Sequence, residues 1–208
     1  YQVMVDHFAR LNFPRRPWLD AEQLQQRFHD LSADAHPDQS HNADAAIKVE
    51  KQDAFTEINE AYQCLDDAKC RVRHLIELER GKAPDNVQSI PAEMTDWFME
   101  IGDTCRKVDA FLVKKEKQDS PMMQATLMVE GLALNDEVSA LHSRLQKELA
   151  RVDAELLALC PEWEALDGQG EDRANTLPLA KLEALGQSLS FWVKWSAQLG
   201  ERSSRLMF

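Results

Sequence analysis

Apolar residues recur at steps of three and four along almost the whole chain, and this spacing limits the possible folds more than any other feature. The segment 21–35 carries such a stripe over about four turns. Asp20, with Gln23 three residues later, forms a capping-box pattern at the start of this helix, and Pro37 disfavours helical geometry in the residue before it. Because no segment alternates as a strand does, the sequence predicts an all-α protein.

The first 80 residues are predicted to form a self-contained helical unit. A loop with two prolines at 12–17 separates a short first helix from the second. The four predicted helices span about residues 5–11, 21–36, 43–65 and 68–79. The pattern therefore predicts one unit of four helices, in which a polar loop, 38–42, connects the second and third helices.

A turn-rich stretch, 81–86, separates this unit from three longer amphipathic segments. The apolar stripes of these segments span about residues 92–117, 121–159 and 178–206. Short connections between long amphipathic helices indicate an antiparallel three-helix bundle. We therefore expect a domain at residues 1–80, a linker at 81–91 and a bundle at 92–208.

The net charge narrows the possible partners. Asp and Glu outnumber Lys and Arg by 36 to 24, which gives a net charge of −12. This excess argues against nucleic acid and against anionic membranes, which both bind through basic groups. No apolar run reaches the ~18 residues of a membrane helix, and no basic, apolar leader opens the sequence. We expect a cytoplasmic protein whose partners are other proteins.

Cysteine and histidine spacings give no sign of a metal site. The cysteines Cys64, Cys70, Cys105 and Cys160 form no CxxC pair, and we expect free structural thiols. The five histidines outside the segment 36–38 have no evident partner constellation. Without a Gly-rich phosphate loop or a nucleophile–base pair, the sequence predicts neither an enzyme nor a bound cofactor.

The most specific motif is His36-Pro37-Asp38, which lies between the second and third predicted helices. The segment 55–65 resembles the "INxAYxxL" helix of J-domains, the DnaJ-type modules that stimulate ATP hydrolysis by DnaK-type chaperones. The segment 67–73 resembles their "DPxxRxxY" turn without its Pro and Tyr. Further matches at 13–14, 19–20, 24–31 and 71–76 narrow the resemblance to HscB, the J-protein family of iron–sulfur cluster assembly.

This resemblance implies that the second and third helices form a helical hairpin, with a helix on either side of it. It also implies that His36, Pro37 and Asp38 activate a DnaK- or HscA-type chaperone. Pro37 restricts the loop, and the side chains beside it offer hydrogen-bond donors and acceptors to the chaperone. In J-domains the helix before the motif is basic, and Arg27 is the basic residue here that matches this docking role. The same helix carries Glu22, Asp30 and Asp34, so we expect weaker electrostatic steering toward the chaperone.

The resemblance also implies that the bundle binds an IscU-like scaffold protein. It assigns this contact to an acidic residue and to apolar residues of the first and last bundle helices: Trp97, Phe98, Met99, Asp103 and Phe191. Gly102 replaces an apolar residue of the family, and Arg106 replaces an acidic one.

Burial in the bundle core is the competing interpretation of the apolar members. Phe98 shares a stripe with Met94 and Ile101, which favours the core for this residue. Trp97 and Met99 lie off the stripe and are better candidates for an exposed apolar patch. Phe191 lies beside the corresponding stripe of the last helix.

Two alternatives remain open. The bundle could bind a different client, or the chain could be a helical interaction protein in which His-Pro-Asp is accidental. Chaperone ATPase rates and binding of the scaffold protein distinguish them. The sequence does not give the oligomeric state.

Overall fold

The computed structural model describes residues 5–35, 45–84, 89–118, 120–167 and 173–207, and these residues form helices and connecting turns without a strand. The all-α prediction is therefore confirmed. A 3₁₀ turn, Ala92–Met94, precedes the fifth helix. The α-helices are α1 (His7–Arg10), α2 (Ala21–Ala35), α3 (Ala45–Asp66), α4 (Ala68–Arg80), α5 (Thr95–Glu116), α6 (Pro121–Glu164), α7 (Arg173–Thr176) and α8 (Leu179–Met207).

Short polar residues fix the ends of the first helices. The Asp20 side chain accepts a hydrogen bond from the backbone N–H of Gln23 at 2.9 Å, as the capping pattern predicts. Asp67 caps α4 in the same way through the N–H of Cys70. Gly81 ends α4 with φ at 71°, a left-handed conformation that glycine adopts without strain.

Two compact units divide the chain. The first comprises Tyr1–Asn86 together with Asp153–Gly186, and the second comprises Val87–Val152 together with Gln187–Phe208. The predicted domain limits, 1–80 and 92–208, stay a prediction. The compact units place the end of α6, all of α7 and the start of α8 together with the first 86 residues.

In the first unit, α3 packs against α1, α2 and α4. Phe28 of α2 stacks on Tyr62 of α3 with ring centroids 4.2 Å apart, which fixes the hairpin. The buried apolar residues of these four helices include Phe8, Leu24, Ile58, Ala61, Leu65, Val72, Leu75 and Ile76.

Polar contacts hold residues 153–186 in this unit. Trp18 Nε1 donates to Asp153 at 3.1 Å, and Arg16 Nη1 donates to Asp167 at the same distance. Arg173 makes two hydrogen bonds to Glu79, at 2.9 and 3.0 Å. These partners lie far apart in sequence, so the spacing of apolar residues gave no sign of them.

In the second unit, α5 and α6 run antiparallel. Three ion pairs join them, and the residue numbers rise along α5 as they fall along α6: Glu100–Arg144, Lys107–Glu137 and Lys114–Glu130. α8 runs parallel to α5, because Trp97 contacts Trp192 and Asp109 pairs with Arg202 further along both helices. The predicted antiparallel three-helix bundle is confirmed.

Helix lengths differ from the predictions at a few ends. α6 continues through Pro161 to Glu164 instead of ending near residue 159. Its last turns carry buried Leu159, Cys160 and Trp163, so packing stabilises the helix beyond the proline. None of the described helices is long and apolar enough to cross a membrane.

Candidate functional site

The predicted chaperone-binding residues His36, Pro37 and Asp38 lie outside the residues that the structure describes, and their role stays a prediction. The helices on both sides of them are described. α2 ends at Ala35 and α3 begins at Ala45, so residues 36–44 connect the two arms of the hairpin.

The exposed surface of α2 is acidic. Arg27, the predicted docking residue, is exposed on this helix, and so are Glu22, Asp30 and Asp34. Asp30 accepts a hydrogen bond from the Gln26 side chain at 2.9 Å. Because this helix exposes three carboxylates and one guanidinium, its surface attracts an acidic partner weakly.

The bundle presents an exposed apolar surface on α5. Phe98 is 47% exposed and Met99 is 54% exposed. The exposure of Met99 agrees with the prediction, whereas the prediction that Phe98 belongs to the core is wrong. Thr104 and Phe111 are buried, and they shift the buried face of α5 away from Phe98 and toward Trp97.

Trp97 is correspondingly half-buried, which corrects the expectation that it is exposed. Its ring meets Trp192 of α8 edge to face, with centroids 5.1 Å apart. The Arg144 guanidinium lies 4.8 Å from the centroid of the Trp97 ring, a cation–π distance, and also donates to Glu100 at 2.5 Å. Trp97 therefore contributes to the contacts of α5 with α8 and α6.

Phe191 lies half-buried on α8, with its ring centroid 5.6 Å from that of buried Trp195. Since Trp97 contacts Trp192 and the two helices are parallel, Phe191 and Phe98 lie at the same level of the bundle on neighbouring helices. The structure thus brings both aromatic residues to one end of the second unit.

Asp103 is exposed one turn beyond Met99 and forms an ion pair with Arg106. A methyl group added at Gly102 would meet only the Arg106 guanidinium, at 3.5 Å. The candidate client surface, which we define as Phe98, Met99, Gly102, Asp103 and Phe191, therefore combines apolar side chains with a partly neutralised carboxylate. Such a surface suits a partner with an apolar face.

The described residues of the candidate client surface offer apolar and charged groups for binding. Among the described residues, no group of three or more His, Cys, Asp or Glu side chains could hold a metal ion. The four cysteines are free, and Cys64, Cys105 and Cys160 are buried. Burial raises the pKa of the Cys105 thiol, which keeps it protonated and unreactive.

A contact between half-buried His7 and buried His74 has no counterpart in the predictions, which expected no partners for these residues. The backbone N–H of His7 donates to His74 Nε2 at 3.1 Å, and the two rings lie 4.5 Å apart. Desolvation by burial lowers the pKa of His7, and burial together with the nearby His7 lowers the pKa of His74 to about 4. The pair serves the packing of α1 on α4.

Comparison with known proteins gives three results. The DnaJ domain family model matches residues 6–74. A co-chaperone protein HscB homolog of Paraburkholderia phymatum is 35% identical over 112 residues, which are 50% of this chain and 63% of the relative. An HscB homolog of Bordetella pertussis is 31% identical over 130 residues, which are 59% of this chain and 76% of the relative.

Two solved structures share the fold. Chaperone HscB from Vibrio cholerae aligns with a TM-score of 0.57 at 20% identity and covers 95% of this chain and 96% of its own. Human co-chaperone protein HscB aligns with a TM-score of 0.64 at 14% identity, over 96% of this chain and 83% of its own. The alignments extend over almost the whole chain, so the likeness includes both the J-domain and the bundle.

Proposed function

Since the chain belongs to the HscB family of J-domain co-chaperones, we propose that it stimulates the ATPase of a HscA- or DnaK-type chaperone and delivers a client to it. The proposed client is an IscU-like iron–sulfur scaffold protein. The proposal places the protein in the compartment of that chaperone, the cytoplasm. It assigns no catalytic residue to the chain itself.

One observation carries the proposal: a single chain combines a J-domain with an exposed apolar surface on a separate compact unit. The J-domain match covers residues 6–74, and the candidate client surface lies on α5 and α8 of the second unit. A protein that recruits a chaperone to a client needs two binding surfaces, one for each partner.

For the chaperone, His36 and Asp38 supply the polar groups of the activating loop, and Pro37 limits its conformations. Binding that favours the hydrolysing state of the chaperone raises its ATPase rate through a population shift. The acidic surface of α2 gives Arg27 little electrostatic help, so we expect association to depend less on ionic strength than it does for a basic docking helix.

The first prediction concerns the activating loop. We expect the wild-type chain to raise the single-turnover ATPase rate of its chaperone and Asp38→Asn to abolish most of this increase, because the variant loses the charged acceptor. Asp34→Asn removes the same charge from exposed α2 and is the matched control, which should keep the stimulation. If Asp38→Asn stimulates as well as the wild type, the loop is not the activating element.

The second prediction concerns the client surface. Met99→Glu places a charge among apolar contacts and should weaken binding of an IscU-like scaffold to the full chain at least tenfold in calorimetric titration. Val113→Glu is the control, because Val113 is 49% exposed on the same helix about four turns away. Equal affinities of the two variants would exclude the α5 surface as the binding site.

A different client is the second candidate, and Arg106 is the observation that favours it. The Arg106 guanidinium pairs with Asp103, so it changes the charge of the candidate surface where the family carries an acid. If the full chain binds no IscU-like scaffold at concentrations of about 100 µM while it still stimulates the chaperone, the bundle serves another client.

A further inference from the structure

The first three turns of α6 expose several large apolar side chains. Met122 is 84% exposed, Met128 69%, Val129 68% and Leu132 58%. Isolated exposed apolar residues are ordinary, but four of them within eleven residues form a contiguous surface. This surface lies on a different helix from the candidate client surface and has no role in the proposed function.

The exposed apolar residues of this segment have the spacing of a surface through which one helix packs along another. Met122, Ala125, Val129 and Leu132 follow steps of three, four and three, and all four are exposed. We call these four residues, with Met128 beside them, the α6 stripe. Leu127 is buried and lies about 200° around the helix from both Ala125 and Val129, so the stripe points away from the bundle core.

The surroundings of the α6 stripe carry little charge, although the chain has a net charge of −12. Residues 120–135 contain one charged side chain, Glu130. Its carboxylate accepts a hydrogen bond from Lys114 at 2.6 Å, so its charge is neutralised within the bundle. Two copies of this segment can therefore approach each other without the like-charge repulsion that other surfaces of this acidic chain would produce.

We propose that the α6 stripe is a self-association surface, on which a second copy of this chain packs antiparallel about a two-fold axis near residue 127. In this register Met122 lies opposite Leu132 of the second copy, and Ala125 lies opposite Val129. Glu130 then lies opposite the neutral Gln124. A shift by one heptad would place Asp136 against Ala125, which buries a carboxylate among apolar groups. A shift by one heptad in the opposite direction loses half of the apolar contacts between the two copies.

The size of the α6 stripe sets the strength of this dimer. Eleven residues of helix extend about 15 Å, which is less than a standard interface of about 800 Å² per partner requires. The dimer is therefore weak, with a dissociation constant of about 10–500 µM, and it forms and dissociates rapidly.

Sedimentation of the full chain between about 5 and 500 µM tests the proposal. The wild type should shift from monomer to dimer, and Ala125→Lys or Val129→Glu alone should raise the dissociation constant at least tenfold. In the combined variant A125K/V129E each introduced lysine meets an introduced glutamate of the second copy, so dimerisation should recover at low salt. A parallel pairing gives no such recovery.

Controls make each outcome decisive. Met99→Glu makes a comparable change at an exposed apolar residue of α5 and should leave the dimer unchanged. Circular dichroism should find equal helix content in all variants, because the substituted residues are exposed. A chain that stays monomeric, a dimer that Met99→Glu breaks, or absence of recovery in the combined variant overturns the proposal. The proposal is also overturned if the chain stays monomeric and Val129→Glu weakens client binding, because the α6 stripe then binds the client.

Discussion

At the scale of residues, the His7–His74 pair makes the first unit sensitive to acid. His74 Nε2 accepts the His7 backbone N–H, so this nitrogen carries no proton in the folded state. Burial is the main reason why the pKa of His74 falls to about 4, and the charges of His7 and Arg15 lower it further, while Asp6 opposes the shift. Protonation must therefore break the contact or unfold its surroundings.

The third prediction follows from this pKa. An unfolded chain protonates His74 near pH 6.5, whereas the folded chain resists protonation to about pH 4. The unfolded state binds more protons in this window, so stability falls as pH drops from 6.5 toward 4. We expect a loss of about 1–2 kcal/mol from this group after allowance for solvent screening. Urea denaturation across the window measures it.

His74→Gln should flatten this pH dependence, because the glutamine does not titrate. His29→Gln is the control, since His29 is exposed on α2 and should leave the profile as in the wild type. An unchanged slope in His74→Gln would mean that the acid sensitivity comes from other groups. A lower stability at pH 7 alone would reflect packing and would not decide the question.

The sequence predicted the environment of some individual residues but not of others. The cap at Asp20 and the exposure of Met99 followed from local patterns that involve one helix. The stripe of apolar residues at helical spacing includes Phe98, whereas the buried face of α5 includes the polar Thr104 and leaves Phe98 exposed. His7 and His74 are 67 positions apart, and nothing local to either one indicates the other.

At the scale of helices, close approach of α8 to α4 depends on a glycine. A methyl group at Gly186 would lie 2.9 Å from Cγ1 of Val72, and Val72 is only 1% exposed. Both residues belong to the first unit. The absence of a side chain at this position therefore lets the start of α8 pack against the J-domain helix.

The fourth prediction is that Gly186→Ala destabilises the protein by about 1–2 kcal/mol, because the steric clash outweighs the gain in helix propensity. Gly200→Ala is the matched control in the same helix, where nothing lies within 4 Å of an added methyl group. It should stabilise the protein by about 0.5–1 kcal/mol. Thermal unfolding measures both changes.

A double-mutant cycle with Val72→Ala checks the mechanism of the Gly186 effect. Removal of the two methyl groups of Val72 makes room, so Gly186→Ala should cost less in this background than in the wild type. Additive costs would contradict the proposed clash and leave backbone distortion as the cause.

Helix identity was predictable because amphipathic stripes repeat over many turns, and α2, α5 and α8 begin and end within a few residues of the expected positions. Helix ends stabilised by tertiary contacts were less predictable. α6 passes Pro161 because Trp163 and Leu166 beyond it are buried, and α7 is a single turn whose sequence has no apolar period. Contacts between distant segments decide such details.

At the scale of the whole molecule, segments that are distant in the sequence belong to the same compact unit. Residues 153–186 lie in the half of the chain that forms the bundle, yet they belong to the same compact unit as the J-domain. Ion pairs make this connection directly. Glu79 is buried at the end of α4, its side chain is 1% exposed, and Arg173 provides two hydrogen bonds to it.

The fifth prediction is that this ion pair makes the C-terminal half necessary for full stability of the J-domain unit. Arg173→Ala leaves the buried Glu79 carboxylate with the more distant Arg15, at 3.8 Å, as its cation among the described residues, and removes a hydrogen bond to the Leu166 carbonyl. Loss of one partner of a buried pair costs about 3–5 kcal/mol, because the other charge stays desolvated. Hydrogen exchange in α1 and α4 should rise accordingly.

The matched control is Arg151→Ala, which breaks an ion pair with Glu148 whose arginine side chain is 61% exposed. Such a surface pair contributes about 0–1 kcal/mol, so α1 and α4 should exchange as in the wild type. If Arg173→Ala affects exchange in α7 alone, the J-domain unit does not depend on residues 153–186 for its stability. Faster exchange in α4 together with α7 would mean that α4 and the C-terminal segment unfold as one cooperative unit.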